Sequence, residues 1–437
     1  MRNSFFASGY LTQKNTVMKI LNLIPVLMIL FSCKVHAQSG NDSSNMKNNR
    51  LDLFIDGSEY IAYIKQQLTF VDYVRDRHLA DVHLLITTQN TGSGGTEYSL
   101  VYWGQKKFEG KNDTLKYVAN TNNTEEETRK GLVQILKMGL MPYVAQLPGA
   151  DAFEISFNSP TDSSLLLMNT TDKWNSWIFT VYANSYFNGE QSYQNFYLNG
   201  GLTANKTTED WKINITVNGS YNYTKYAYDD FVYSSETQSR SADLLIVKSL
   251  TDHWSAGGAA SVYSSTYSNY DLKASISPAI EWNLYPYSKS TSHLFTMLYT
   301  LTPSYSNYTD STLYNKTEEL LLSQSFTASL DLIEKWGSIN MSVYGSNYFH
   351  DFSKNSLYVS SSLNLRIVKG LELSLYGNLG LVHDQLNLSK EGATPEEVLT
   401  RQHELSTNFS YYGSIGISYN FGSTYNNVVN ARFNFLN

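Results

Sequence analysis

The segment Trp211 to Thr224, WKINITVNGSYNYT, alternates strictly between two kinds of side chain. Trp211, Ile213, Ile215, Val217, Gly219, Tyr221 and Tyr223 hold one face, and Lys212, Asn214, Thr216, Asn218, Ser220, Asn222 and Thr224 hold the other. A period of two sustained this long predicts a strand, and one longer than the usual five or six residues of a globular sheet. A tilted strand crossing a bilayer needs about 9–11 residues within the hydrocarbon and carries aromatic residues at both interfaces. The same alternation recurs in Leu357/Val359/Leu363/Leu365/Ile367 against Tyr358/Ser360/Ser362/Asn364/Arg366. It predicts strands near 174–188, 193–205, 211–225, 238–250, 254–268, 270–284, 292–306, 318–332, 336–349, 355–368, 371–386 and 404–421. The fourth of these, with Leu244-Leu245-Ile246-Val247, alternates poorly.

The connections have their own parity. Those after even strands are short, as at Thr207–Asp210, Thr251–His253, Ile333–Lys335 and Lys369–Gly370, and Tyr285–Thr291 is the longest. Those after odd strands include the long Tyr226–Thr237, Asn307–Thr317 and Asn387–His403. Bacterial membrane barrels place short turns in the periplasm and long loops outside. Trp174, Trp211, Trp254, Trp282 and Trp336 all fall at the short-turn ends, as an interfacial belt requires. The expected fold is therefore mainly β, a transmembrane antiparallel barrel of about 12 strands over residues 174–423. Residues 424–437 form a tail or a terminal strand, and Phe421 or Phe435 would supply the terminal aromatic residue read by the barrel-insertion machinery.

Ahead of the barrel the periodicity is of another kind. Leu51 to Ile55, Asp81 to Thr88, Glu97 to Gln105 and Asp113 to Ala119 read as strands, and Tyr60 to Leu68 as a short helix. Thr124-x-x-Glu127 is a capping box opening a helix that carries Leu132, Ile135, Leu136, Leu140 and Val144. Asp151 to Phe157 reads as a returning edge strand. These elements make a small α+β domain over 51–157, joined to the barrel by a linker at 158–173. Before it, Met18-Lys19, the apolar run Ile20 to Phe31 and Val35-His36-Ala37 predict a secretory signal over residues 1–37, with Met18 as the start, and a flexible leader over 38–50. Leu30-Phe31-Ser32-Cys33 also resembles a lipobox, although Phe31 departs from that pattern, and lipidation at Cys33 is the alternative to cleavage after Ala37.

Two resemblances follow from these residues. The order of elements, with ADVHLLITTQN and GTEYSLVYWG ahead of a helix, resembles the N-terminal domain of TolB and related periplasmic envelope modules. The segments WNSWIFTVYANSYFNGEQSY, TEDWKI, EWNLYPYSKST and NNVVNARF resemble uncharacterised outer-membrane barrel proteins of diderm bacteria, which pair an exported N-terminal domain with a barrel. That resemblance implies architecture and location, and no activity.

Composition agrees with a barrel. The 437 residues include 34 Tyr and 20 Phe with only 16% charged side chains. The mean hydropathy of −0.32 does not conflict, because each membrane strand is half polar. A net charge of −7 argues against nucleic acid as a partner. The single cysteine, Cys33, falls within the signal, which removes disulfides and thiol chemistry from the mature chain.

Candidate chemistry is sparse. His350, His383 and His403 sit at predicted loop ends, where outer-membrane phospholipase A, also twelve-stranded, keeps a His–Ser–Asn arrangement. The YxxQYxxGxxxGTR-like pattern of that enzyme is absent, so loop histidines read as solvated residues. Gly92-Ser93-Gly94-Gly95 leads into a strand and not a helix, so it is a turn and not a phosphate loop. Asp229-Asp230 and Asp310 lack calcium-loop spacing. Tyr221, Tyr223, Tyr226, Tyr228, Tyr233, Tyr305, Tyr308 and Tyr314 read mainly as an outer aromatic girdle. Lys212, Lys273, Glu281, Asp331, Arg366 and Glu372 interrupt the polar faces and are the candidate lumen-lining charges, which in pores tune selectivity and in sealed barrels pair with one another. No catalytic, cofactor-binding or metal-binding residue is assigned, and no enzyme is expected. The expected function is a channel or gated pore for small polar solutes, with the N-terminal domain as plug or as binding module for a periplasmic protein or a peptidoglycan-associated partner. The alternative is a barrel that only anchors that domain in the outer-membrane lipid.

Overall fold

The computed structural model describes residues 50–423 and 425, apart from 58–59, 92–93, 149, 155–171, 229–230, 369, 393–402 and 424. The signal, the leader, Cys33, most of the linker, Gly92-Ser93, Asp229-Asp230 and the C-terminal tail thus lie outside the described residues.

The first unit is a five-stranded sheet with two helices. Its elements are β1 (Leu51–Asp56), α1 (Ile61–Gln67), β2 (Val71–Tyr73), β3 (Val82–Asn90), β4 (Thr96–Gly104), β5 (Asn112–Ala119) and α2 (Glu125–Val144), with sheet order β2-β1-β3-β4-β5. β1 runs parallel to both β2 and β3, and β3-β4-β5 is an antiparallel meander. The three-residue β2 has too little alternation to be visible in sequence. The capping box forms as its spacing requires: Glu127 N–H donates to Thr124 Oγ1 (3.2 Å) and Thr124 N–H donates back to Glu127 Oε2 (2.8 Å). Leu132, Leu136, Leu140 and Tyr143 make the buried stripe of α2, which meets Leu51, Leu84, Leu100 and Tyr102 in one core. Gly139 permits the approach, since a Cβ there would lie 2.3 Å from Tyr102 Cζ. The edge strand expected over 151–157 does not form where the chain is described. Ala150–Ala152 continue in a 3₁₀ turn, with Phe153 N–H bonded to Ala150 O and the Phe153 ring packed on Phe70 at 5.4 Å.

The second unit is a twelve-stranded antiparallel sheet in simple up-and-down order. Its strands are β6 (Trp177–Gly189), β7 (Tyr193–Thr207), β8 (Trp211–Tyr228), β9 (Phe231–Ser249), β10 (Trp254–Ser265) and β11 (Tyr270–Asn283), followed by β12 (His293–Tyr308), β13 (Glu318–Glu334), β14 (Gly337–Tyr348), β15 (Asn355–Val368), β16 (Leu371–Val382) and β17 (Phe409–Tyr419). Three departures from the expected ends have local causes. β6 starts at Trp177 because Asp172 accepts the Trp174 and Ser176 amides and holds a turn. The expected loop 226–237 is instead a continued hairpin, with the β8–β9 ladder running to Tyr228↔Phe231. β16 stops at Val382 because the chain then turns across the sheet end onto the connections after β10 and β12. The sheet is not closed into a barrel: its order begins at β6 and ends at β17, which do not pair.

Register sorts the side chains onto two faces. Following the ladder from Thr216↔Asp243 through Asp243↔Ser261, Ser261↔Ser275 and Ser275↔Ser304 keeps one face polar. The adjacent rung, Val217↔Ala242, Ala242↔Val262 and Val262↔Ala274, keeps the other apolar. On that apolar face Val181 is 77% exposed, Ile276 65%, Leu320 82% and Ile415 77%. Exposed large apolar side chains thus recur on this face from β6 to β17.

Candidate functional site

All six candidate charges, Lys212, Lys273, Glu281, Asp331, Arg366 and Glu372, lie on the polar face by register. They do not all stand at one level of the sheet. Lys273 stands near the loop end, its Nζ over the Tyr270 ring at 4.8 Å. The other five stand near the short-turn ends. Glu281 accepts a hydrogen bond from Tyr287 (2.8 Å), and Asp331 accepts one from Asn340. Trp174, Trp211, Trp254, Trp282 and Trp336 occupy the same end, with Trp254 and Trp282 adjacent across the β10–β11 ladder.

The N-terminal domain docks at this end, and the contact is built on Arg366. Its guanidinium grips both carboxylate oxygens of Asp56, while its Nε lies 3.5 Å from Glu372 Oε1. Behind Asp56, the fully buried His83 places Nε2 3.4 Å from Asp56 Oδ2, with its ring edge-on to Phe54 (5.0 Å) and Trp103 (5.1 Å). Lys335, in the β13–β14 turn, lies over Trp103 at 4.4 Å, and its carbonyl accepts from Arg77. Ser290 in the β11–β12 turn donates to Gln89 at the end of β3 (3.3 Å). Tyr425, past β17, bridges Val74 beside β2. Two turns, the end of β15 and the segment past β17 thus touch one small domain. A cavity of about 330 Å³ between Asp56, Thr88, Glu334 and Arg366 is what the docking leaves open.

Burial by itself would push the Asp56 carboxyl upward, but hydrogen bonds from Arg366 and His83 and the charge of Arg366 outweigh it and hold it at about 2. Burial pushes the His83 imidazole down, Asp56 only partly offsetting it, so the ring stays neutral at pH 7. Both groups have depressed pKa values when docked, so both contribute stability at high pH and lose it as pH falls. Their contribution to the stability of the folded, docked protein should be constant between pH 7 and 8, start to fall below the ordinary His value of 6.5, and be lost as pH falls from 3.8 through about 2. Trp103 fluorescence read against pH would follow it. His83→Phe should remove the upper part of the profile and leave the carboxylate limb.

The loop end is closed by a different device. After β16, residues 383–392 turn across the sheet end and bury Leu386 and Leu388. Asn387 Nδ2 donates to Ser268 O (3.0 Å) and Glu404 Oε2 (2.7 Å), and its carbonyl accepts from Asn269 Nδ2 (2.8 Å). Leu313 N–H donates to Leu388 O (2.9 Å), and Thr312 bridges Ser389. The connection after β16 therefore meets those after β10 and β12, which the linear strand order holds far apart. The sheet must curl for this to occur. Beneath it Tyr270 and Tyr308 are buried with ring centroids 5.4 Å apart, and Tyr308 donates to Glu319 (2.6 Å). Tyr308 was expected in the outer girdle. It instead fills the polar side, because it shares the register of Ser306 and Glu319.

His350 lies against Tyr348 with ring centroids 5.6 Å apart and the planes tilted by 51°, and His383 begins the folded loop. Among the described residues no cluster of His, Cys, Asp and Glu has metal-site geometry. Sequence reading missed the docking pair, since Asp56 closes an ordinary strand and only tertiary contact brings Arg366 to it. The class that fold and site define is a mainly-β protein with a small α+β domain docked on one end of a two-faced, twelve-stranded antiparallel sheet. No family model matches the chain, and no curated protein matches it significantly.

Proposed function

We propose that this chain is an outer-membrane β-barrel, closed at rest, that admits small polar solutes when its docked N-terminal domain is displaced. The apolar face supplies a lipid-facing surface, and only a closed barrel satisfies both strand edges in hydrocarbon, where each unpaired backbone group costs several kcal/mol. β6 and β17 run antiparallel, which allows the sheet to close on itself. The docked domain occupies the short-turn end, which is the periplasmic end in this orientation, and leaves the surface loops outside. The observation that carries the reading is the Asp56–Arg366 grip. A charge on the polar face of the barrel is held by the domain that would plug it.

The alternative is a sealed anchor, favoured by the tyrosine-packed loop end and its interlocked connections. Planar-bilayer conductance of the full chain and of a chain lacking 50–154 separates them. Gating by the domain predicts steps that appear or multiply on its removal. Silence from both, with insertion verified, would leave the anchor.

A further inference from the structure

The poorly alternating Leu244-Leu245-Ile246-Val247 stretch in β9 remains unexplained by a polar interior. By register Ile246 joins the apolar face, paired with Ile213 and Gly258, whereas Leu245 and Val247 stand on the polar face, paired with Asn214 and Lys212. Across β10 and β11 the same rungs carry Gly257, Ala259 and Ala279, and β12 adds Leu298. Together they line a cavity of about 610 Å³, within the about 300–1,000 Å³ range of small-molecule sites. Small residues on β10 and β11 make the hollow, and Leu245, Val247 and Leu298 make it apolar. These apolar side chains on a mostly polar face give the hollow a surface that an apolar body would bury favourably.

Two charges border the cavity, and they differ. Glu281 is satisfied by Tyr287, whose hydroxyl also meets Ser255 Oγ at 3.0 Å. Lys212 makes no ion pair among the described residues, and it is one of the residues that line the cavity. The roof is the β11–β12 turn, where Ser290 contacts Gln89 of the docked domain.

We propose that this cavity is a binding site for a small anionic amphiphile, its apolar body on Leu245, Val247 and Leu298 and its acidic head on Lys212. The site rests on the membrane-barrel reading but not on conduction, and a binding assay tests it without reference to current. The probe is octanesulfonate, titrated calorimetrically into the full chain in nanodiscs and corrected with empty nanodiscs; octyltrimethylammonium is the charge control. Saturable sulfonate binding is expected, at least tenfold tighter than that of the ammonium. Ala279→Phe fills the hollow and should weaken it tenfold or more, and Lys212→Gln should erase the preference for the anion. Ile276→Phe, of equal bulk on the opposite face, should leave binding unchanged, and heat-modifiable gel mobility verifies that each variant is folded. Heat no greater than that of empty nanodiscs, equal binding of the two probes, or indifference to Ala279→Phe in a folded protein would each overturn the assignment.

Discussion

Asp56→Arg is expected to release the N-terminal domain from the sheet end. The substitution removes the group that both Arg366 nitrogens bind and sets a second guanidinium against the first. Asp56 is 11% exposed and Arg366 26%, so the pair is mostly but not fully shielded. Breaking a fully buried pair costs about 3–5 kcal/mol, and partial exposure lowers this to about 2–4 kcal/mol. That shifts the docking equilibrium roughly 30- to 700-fold. Hydrogen exchange at β1 and in the β13–β14 turn should rise together, and conductance should approach that of the chain without the domain. The swap Asp56→Arg with Arg366→Asp should restore docking only in part, because Glu372 would repel the new carboxylate and His83 would lose its acceptor. Unchanged exchange in Asp56→Arg would show that the remaining contacts hold the domain unaided.

The second large effect concerns which face meets lipid. Ile276 and Ser275 are neighbours in the middle of β11 and point to opposite sides of the sheet. Ile276→Arg should destabilise the membrane-inserted protein by about 2–4 kcal/mol, the cost of a cationic side chain on the lipid face at the bilayer midplane. Ser275→Arg places the same charge among Ser261 and Ser304 on the polar side and should cost far less. Urea unfolding in lipid vesicles would measure both. Equal costs for the two variants would sink the orientation on which the membrane reading rests.

Much of this architecture was legible in the chain. Alternation located the long strands, least clearly the fourth, because a sheet with one apolar and one polar face tends to impose a period of two on each strand. Turn length and the five tryptophans marked one end as distinct, and Thr124 with Glu127 marked the start of α2, since each of these signals is local. The six charges were placed on the polar face for the same reason: parity along a strand fixes the face. β2 was missed because three residues carry no period. Tyr308 was misplaced because its face depends on the β12–β13 register rather than on its position in a loop-end aromatic run.

What tertiary structure alone decided is which distant residues meet. Arg366 and Asp56 are 310 positions apart, and Asn269 and Asn387 are 118 apart. No periodicity encodes a pairing between two turns of a curled sheet, or between its end and a separate domain. Such contacts depend on how twist accumulates over many strands, which each strand's own sequence does not register. The sequence by itself determined the long strands, their two faces and which end of the sheet carries the short turns. The packing of those ends determined that one is covered by the small domain, that the other is bridged by its own loops, and that an apolar hollow lies on the polar face.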